Sequence, residues 1–225
     1  HGIPTTVPIQ MLDGNYVAIK DGFAWTLLPF VKGGFLGSDE DSLRSLGETL
    51  ARMHSIPHAE SFPQDYRMGF VLFEEVIALS TRMGVGSPFR RLLSDEANHL
   101  RSIVSDVLPT GVLHGDLFPD NVIGESGRVC AILDLEEAWI GPMCFDIAMA
   151  FVGFGWEENR PISSRWNSLI QGYQSVRSLT DKEWGVMSEM HRYATLAIAC
   201  WRFWKHNLKE PEERLSRRYL EMIDR

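Results

Sequence analysis

A polar segment at residues 114–121 (HGDLFPDN) lies between two short apolar stretches, residues 112–113 and 122–123. Another apolar stretch ends at Asp134, thirteen residues after Asn121. An isolated His-Gly-Asp is usually a turn, because Asp and Gly are common turn residues. The spacing to Asn121 and Asp134, each beside a predicted strand, instead favours a strand–loop–strand unit that carries polar groups for chemistry.

These polar groups are of the kind that phosphoryl transfer requires. The acceptor hydroxyl must be held in line and its proton accepted, while metal ions neutralise charge on the phosphate oxygens. Magnesium prefers hard oxygen ligands, only a few of them from the protein. We therefore predict that Asp116 accepts the hydroxyl proton, and that the amide oxygen of Asn121 and the carboxylate of Asp134 bind metal.

The rest of the chain predicts a strand-rich start followed by helices. Two strands flank a turn within residues 1–31. A helix with one apolar face begins near Ser38, where Asp41 completes a variant capping box, and it stops at Pro57. Further helices are predicted at about 67–82, 88–107, 143–153, 162–176, 181–207 and 211–224. This order of elements is an α+β layout.

Charge and cysteine content argue against several classes of function. The formal charge is −8 without a Lys/Arg block, so we expect neither nucleic acid nor a membrane as a partner. The longest apolar run, residues 138–155, is broken by Gly141, Pro142 and Asp146, and no membrane span is expected. Three widely spaced cysteines predict reduced core residues of a cytoplasmic protein. The oligomeric state stays unknown.

The motif at residues 114–122 (HGDLFPDNV), followed by a strand ending in Ile-Leu-Asp, resembles the catalytic and metal loops of the aminoglycoside phosphotransferase and choline kinase superfamily. Within this superfamily, the residues of the motif resemble those of bacterial homoserine kinases in particular. Further segments resemble the family in the same order along the chain: residues 2–5, 28–33, 46–54, 145–148 and 172–174. The resemblance covers nearly the whole chain, although only the catalytic motif is highly specific.

The resemblance implies a protein-kinase-like fold with a mostly helical large lobe at residues 32–225. Residues 1–31 would be a remnant of the β-rich small lobe and the hinge. ATP and Mg²⁺ are the implied cofactors. Adenine would be received by backbone groups near Leu28 and Phe30.

The same resemblance implies roles for the residues of the motif. Asp116 is then the catalytic base, and Asn121 and Asp134 are magnesium ligands. His114 is interpreted as a structural residue that forms hydrogen bonds within the loop. Asp146 would support that loop, a role compatible with an N-terminal cap of the following helix.

The implied activity is ATP-dependent phosphorylation of the hydroxyl of a small metabolite, with homoserine first. Choline, an aminoglycoside, methylthioribose or another amino alcohol or sugar is the alternative. Glu136 and Glu137 lie where the family's acceptor pocket opens, and we predict that they bind a substrate ammonium. Homoserine kinases are more aromatic at this place, which keeps the alternative substrates open.

The family places a phosphate-binding hairpin and a phosphate-gripping Lys before the segment where this chain starts, at His1. We therefore expect a longer gene product, and expect the 225-residue chain alone to be inactive. Loss of such a Lys costs on the order of 10³-fold in rate. The alternative is a truncated, catalytically silent kinase-like binding module.

Residues 17–20 (VAIK) spell the kinase strand that carries the phosphate-gripping Lys. Only a two-residue turn follows before the next strand, whereas kinases place a helix there. We therefore predict that Lys20 is a solvated hairpin residue.

Two other patterns are interpreted as structural. His54 and His58 have a zinc-like spacing, but Pro57 separates them, so both are predicted to lie on the surface. Trp201 and Phe203, on a helix late in the chain, are predicted to lie in the protein core, with the wall of a substrate pocket as the alternative.

Overall fold

The computed structural model describes residues 2–57, 61–84, 87–104, 108–223 and 225, so His58 lies outside the described residues. The helices are α1 Glu40–His54, α2 Phe70–Arg82, α3 Pro88–Ile103, α4 Met143–Phe154, α5 Ser163–Gln174, α6 Asp181–Phe203 and α7 Leu220–Ile223. The strands are β1 Ala18–Lys20, β2 Phe23–Trp25, β3 Gly34–Phe35, β4 Thr110–Leu113, β5 Val122–Glu125, β6 Arg128–Ile132, β7 Trp139–Pro142, β8 Trp156–Glu157 and β9 Arg160–Pro161.

Helix α4 lies at the centre of the core and is apolar on all sides. Its residues 143–152 are all buried, and it packs against α6, α5 and α1. A helix that is apolar all round has to be surrounded by other elements. Among the described residues, no helix is both long enough and apolar enough to cross a membrane.

Helices α1 and α5 pack against each other backbone to backbone, and glycines permit this contact. A methyl group on Gly47 would overlap the carbonyl oxygen of Leu169, and one on Gly172 would overlap that of Arg44. The apolar face of α1, which includes Leu46 and Leu50, is buried as its spacing predicts. This helix pair holds His54, the last residue of α1, next to Tyr173.

Two antiparallel pairings position the polar loop. Strand β4, which precedes the loop, pairs with β7, while β5, which follows it, pairs with β3 and β6. On the other edge of β6, Thr5 forms a parallel bridge with Ile132. The loop is therefore fixed at both ends, and residue 121 lies opposite residue 133 through a backbone hydrogen bond from the Leu133 nitrogen of 2.8 Å.

The N-terminal hairpin follows the sequence pattern. Strands β1 and β2 pair through a two-residue turn in which Asp21 and Gly22 have φ of 54° and 80°. Positive φ at both central residues defines the type I′ turn of tight hairpins. Lys20 is exposed, as predicted, and the hairpin also exposes Ile19 and Trp25.

Two predictions about helix ends were wrong. The N-cap of α1 is Asp39, whose carboxylate accepts the backbone N–H of Ser42, so Ser38 does not begin a capping box. The last helix was predicted at 211–224, but only Leu220–Ile223 is helical. Residues 213–219 form successive turns instead.

Candidate active site

The loop at residues 114–121 is held in shape by its own polar groups. The backbone nitrogen of Asp116 donates to Nδ1 of His114 at 3.2 Å, and Nε2 of His114 donates to the Leu133 carbonyl at 2.8 Å. Gly115 has a φ of 83°, which a residue without a side chain adopts easily. The buried imidazole of His114 thus links the loop to the end of β6.

The carboxylate of Asp146 anchors the start of the same loop. Its Oδ2 accepts the backbone N–H of His114 at 2.6 Å, and its Oδ1 accepts that of Gly115 at 2.9 Å. Burial by itself would raise the pKa of Asp146, but hydrogen bonds from His54 and His114 hold it below the ordinary value of 3.8. Asp146 lies inside α4, whose N-cap is Pro142, so it does not cap that helix.

A line of buried polar side chains continues from Asp146 away from the loop. His54 Nε2 lies 3.4 Å from Asp146 Oδ2, and His54 Nδ1 lies 2.8 Å from the Tyr173 hydroxyl. Arg177 donates to that hydroxyl at 3.2 Å and also pairs with the buried carboxylate of Glu183. Because the ionised carboxylate of Asp146 only accepts hydrogen bonds, His54 donates to it through Nε2, and Nδ1 of the neutral ring accepts from the Tyr173 hydroxyl.

The prediction that His54 lies on the surface was wrong, since only 4% of it is exposed. Its partners Asp146 and Tyr173 are 92 and 119 residues away in the chain. Spacing within α1 carries no signal for either partner. The resemblance of residues 46–54 to the family's helix was the one indication that this histidine has a fixed role.

Asp116 and Asn121 are in contact within the loop. The amide nitrogen of Asn121 donates to the Asp116 carbonyl at 2.8 Å and lies 3.4 Å from the Asp116 carboxylate. Among the described residues, the amide oxygen of Asn121 accepts no hydrogen bond, so it is available to a cation. Asp134 follows β6 with an exposed side chain and a left-handed backbone at φ 58° and ψ 68°.

Asn121 and Asp134 together form a donor set that suits magnesium. The structure places them on adjacent strand ends and gives each an available hard oxygen. Magnesium in kinases takes one or two protein oxygens together with phosphate and water. Within the described ranges, no three His, Cys, Asp or Glu side chains group as a metal site, so an all-protein cage is not what these residues offer.

The carboxyl group of Asp116 has a raised affinity for protons. Burial raises its pKa from 3.8 to about 6; His114 opposes this shift, and the charges of Asp120, Glu137 and Asp134 add to it. A carboxylate with a pKa near 6 is deprotonated at neutral pH yet is a stronger base than an ordinary aspartate. This environment suits a group that accepts a hydroxyl proton.

The two glutamates after Asp134 have different surroundings. Glu136 is exposed, whereas Glu137 is buried and forms an ion pair with Arg67 in which both carboxylate oxygens receive hydrogen bonds. The Nε atom of Arg67 lies 3.0 and 3.1 Å from these two oxygens. Arg67 is not predicted from the sequence, because nothing near it in the chain marks it as a partner of Glu137.

A cleft of about 400 Å³ opens beside Glu137 and Arg67. We call it the tryptophan cleft, because Trp201 and Trp204 form one wall; its other charged lining residues are Glu75, Lys205, Lys209 and Glu210. Both tryptophans are half-buried. Trp201 packs against the core from this half-buried position and also lines the cleft, so both interpretations describe part of its surroundings, while Phe203 is buried as predicted.

Leu28 and Phe30 lie outside the regular elements and are exposed by 50% and 90%. Their segment continues into β3, where Gly34 pairs with Gly124 of β5. Since β5 begins just after Asn121, the segment leads towards the loop that carries Asp116. The described contacts do not bring the side chains of Leu28 or Phe30 to Asp116 or Asp134.

A family model described as "Phosphotransferase enzyme family" matches residues 1–179. The chain is 25% identical over 203 residues to a homoserine kinase of Rhizobium johnstonii, a match that covers 87% of this chain and 62% of that protein. A homoserine kinase of Methylobacillus glycogenes is 25% identical over 217 residues, or 93% of this chain and 64% of that one. The chain thus spans less than two thirds of the length of these curated relatives.

Solved structures share the fold at low identity. A microcompartment-associated aminopropanol kinase superposes with a TM-score of 0.74 and 16% identity, covering 99% of this chain and 74% of that one. An amicoumacin kinase in complex with AMP-PNP, Ca²⁺ and Ami superposes with a TM-score of 0.73 and 16% identity. The match covers 100% of this chain and 73% of that one. These likenesses confirm the predicted α+β, protein-kinase-like fold.

Proposed function

The chain belongs to the phosphotransferase enzyme family, and from this premise we propose that it is a kinase that uses ATP to phosphorylate a hydroxyl group of a small metabolite. One observation carries the proposal. A half-buried carboxyl group with a raised pKa, that of Asp116, lies near two oxygen donors of the kind that magnesium prefers, those of Asn121 and Asp134. A proton acceptor and a metal-binding pair are the parts that phosphoryl transfer asks of a protein.

In the proposed reaction, Asp116 orients the acceptor hydroxyl and takes its proton. The hydroxyl oxygen bonds to the γ-phosphorus as the bond to the bridging oxygen of ADP breaks. When bound, Mg²⁺ would supply charge neutralisation at the phosphate oxygens. Asn121 and Asp134 would hold it, while His114 and Asp146 keep the loop in the geometry that aims Asp116.

We propose that residues 1–31 contribute the nucleotide side of the site and residues 32–225 the catalytic lobe. The exposed segment that contains Leu28 and Phe30 supports this division, because it connects the N-terminal hairpin to β3. Adenine would receive hydrogen bonds from that backbone. The three free cysteines support a reducing, cytoplasmic location.

For the acceptor we propose homoserine. The homoserine kinases among the relatives support this choice, and the tryptophan cleft beside Glu137 is a place where such a molecule fits. An amino alcohol such as choline or aminopropanol, or an aminoglycoside or other sugar, is the alternative. Structures of choline/ethanolamine and aminopropanol kinases share the fold.

The proposal is tested by ADP release with the protein expressed from its full reading frame. L-homoserine, choline, 3-aminopropan-1-ol, methylthioribose and an aminoglycoside are each supplied with ATP and Mg²⁺. We expect acceptor-dependent turnover with L-homoserine. Turnover of another acceptor with none of L-homoserine contradicts the choice of substrate, and no turnover with any of them favours a catalytically silent module.

A further inference from the structure

The charges that line the tryptophan cleft indicate what kind of acceptor it takes. This inference rests on the proposed kinase function, because it assumes that the cleft beside Glu137 receives the acceptor. Glu137 and Arg67 already neutralise each other through several hydrogen bonds. A substrate ammonium would therefore have to compete with Arg67 for the carboxylate of Glu137. The lining charges that have no ion-pair partner are more informative about the ligand.

Two lysines line the cleft without a carboxylate partner among the residues that the structure describes. Nζ of Lys205 lies 4.9 Å from the ring centre of Trp201, and Nζ of Lys209 lies 4.5 Å from that of Trp204. A tryptophan face attracts a cation but leaves its N–H donors free for an anion. The cleft therefore offers two available ammonium groups.

Two carboxylates that line the same cleft also have no ion-pair partner among the described residues. Glu75 of α2 and Glu210 take part in none of the ion pairs within residues 2–57, 61–84, 87–104, 108–223 and 225. They offer acceptors for an ammonium group. Unmatched charges of both signs on the walls of one cleft are complementary to a ligand that itself carries both signs.

The wall that carries the lysines has an unusual backbone. Helix α6 passes into a π-helical turn, Trp204–Lys209, in which the nitrogen of Glu210 donates to the carbonyl of Lys205 at 2.8 Å, an i→i+5 bond. Such turns are rare and occur frequently at functional sites. Here the turn places Trp204, Lys205 and Lys209 along one cleft.

We propose that the tryptophan cleft binds a hydroxy amino acid in its zwitterionic form. Lys205 and Lys209 receive the carboxylate, and the carboxylates of Glu75 and Glu210 receive the ammonium. An acceptor with an ammonium group alone leaves both lysines unmatched once it displaces water from the cleft, and that costs binding free energy. The charge pattern selects against simple amino alcohols.

Calorimetric titration with three matched acceptors tests this without requiring turnover. The probes are L-homoserine, 3-aminopropan-1-ol, which is homoserine without its carboxylate, and 4-hydroxybutanoate, which is homoserine without its ammonium. The protein is the product of the full reading frame. We expect L-homoserine to bind at least tenfold more tightly than either fragment, because each charged contact contributes about one factor of ten.

Variants assign the contacts. Lys205→Met should raise the Kd of L-homoserine and of 4-hydroxybutanoate about tenfold and leave that of 3-aminopropan-1-ol unchanged, whereas Lys205→Arg should restore most of the affinity. Glu75→Gln should weaken L-homoserine and 3-aminopropan-1-ol only. Lys182→Met, an exposed change at the start of α6, is the matched control and should change none of the three.

The outcomes separate this inference from the proposed function. Binding of 3-aminopropan-1-ol as tight as that of L-homoserine overturns the inference, as does a Lys205→Met variant that binds all three probes normally, or a protein that binds none of them. Binding of L-homoserine that depends on Lys205 without any phosphorylation supports the inference and contradicts the kinase function.

Discussion

The Oδ2 atom of Asp146 lies 2.6 Å from the backbone nitrogen of His114, although the two residues are 32 positions apart in the chain. Asp146 is fully buried in α4, and His114 begins the loop that carries Asp116. A buried carboxylate is tolerated only when hydrogen-bond donors surround it. The N–H groups at the start of the loop are among those donors, so the loop and the central helix stabilise each other.

Replacement of Asp146 by Ala should be strongly destabilising. It leaves the N–H groups of His114 and Gly115 and the ring of His54 without their acceptor in the interior. We expect a loss of about 3–5 kcal/mol in the free energy of unfolding, measured by urea denaturation. Asp95→Ala, an exposed change on α3, should stay within about 0.5 kcal/mol, and equal effects of the two changes would refute the anchoring role.

Tyr173→Phe should also destabilise the fold, because Tyr173 holds His54, which in turn donates to Asp146. It leaves Nδ1 of His54 without a donor in a buried position, which costs about 1–3 kcal/mol. In a double-mutant cycle with His54→Gln, the two changes should be non-additive by at least 0.5 kcal/mol. Additive free energies of unfolding would show that the described hydrogen bond does not operate in solution.

Asp116→Asn should stabilise the fold in a pH-dependent way when metal is removed by a chelator. The folded pKa of Asp116, about 6, lies above 3.8, so the folded state holds the proton more tightly than the unfolded state. Its favourable contribution is complete below pH 4 and is lost as pH rises through 6. Relative to the wild type, the Asn variant should gain up to about 3 kcal/mol between pH 4 and 8.

Thermal or urea denaturation across that pH range measures the difference. A stability gap between the two proteins that is constant with pH would contradict the raised pKa. If the stability advantage of the Asn variant falls as pH rises, the pKa of Asp116 in the folded state is lowered and not raised.

We expect opposite effects on stability for a Gly→Ala change in the contact between α1 and α5 and one at an open position of α6. At Gly172 the new methyl group would overlap the backbone of α1, so the helices must separate; we expect a loss of about 2–4 kcal/mol. At Gly185 of α6 the methyl group meets open space, and the change should gain about 0.5–1 kcal/mol from helix propensity. Melting temperatures that shift in the same direction would contradict this packing.

The sequence alone was sufficient to place the polar groups of the loop at residues 114–121 near Asp134. Asp116 and Asn121 are five residues apart, and the hairpin that brings Asp134 beside them needs only a turn between two short strands. Local spacing and strand pattern carry that information. The family resemblance then extended it to the fold, because further segments of the chain resemble the family in the same order.

The contacts that the sequence did not predict are those between distant segments. The partners of His54 and Glu137 lie on other helices and loops, 70 or more residues away. The wall of the tryptophan cleft depends on a π-helical turn, and no periodicity in residues 204–209 distinguishes that turn from an ordinary helix end. Tertiary packing decides these features, and hydrophobic spacing does not record it.

Phosphoryl transfer from ATP to L-homoserine, followed by phosphorus NMR with the product of the full reading frame, tests the central claim most directly. The wild type should form a phosphate ester at the acceptor hydroxyl and ADP in equal amounts. Asp116→Asn should lower the rate by about 10³-fold or more while the protein stays folded. Ester formation that is unchanged in Asp116→Asn would contradict the role of this carboxylate in the reaction.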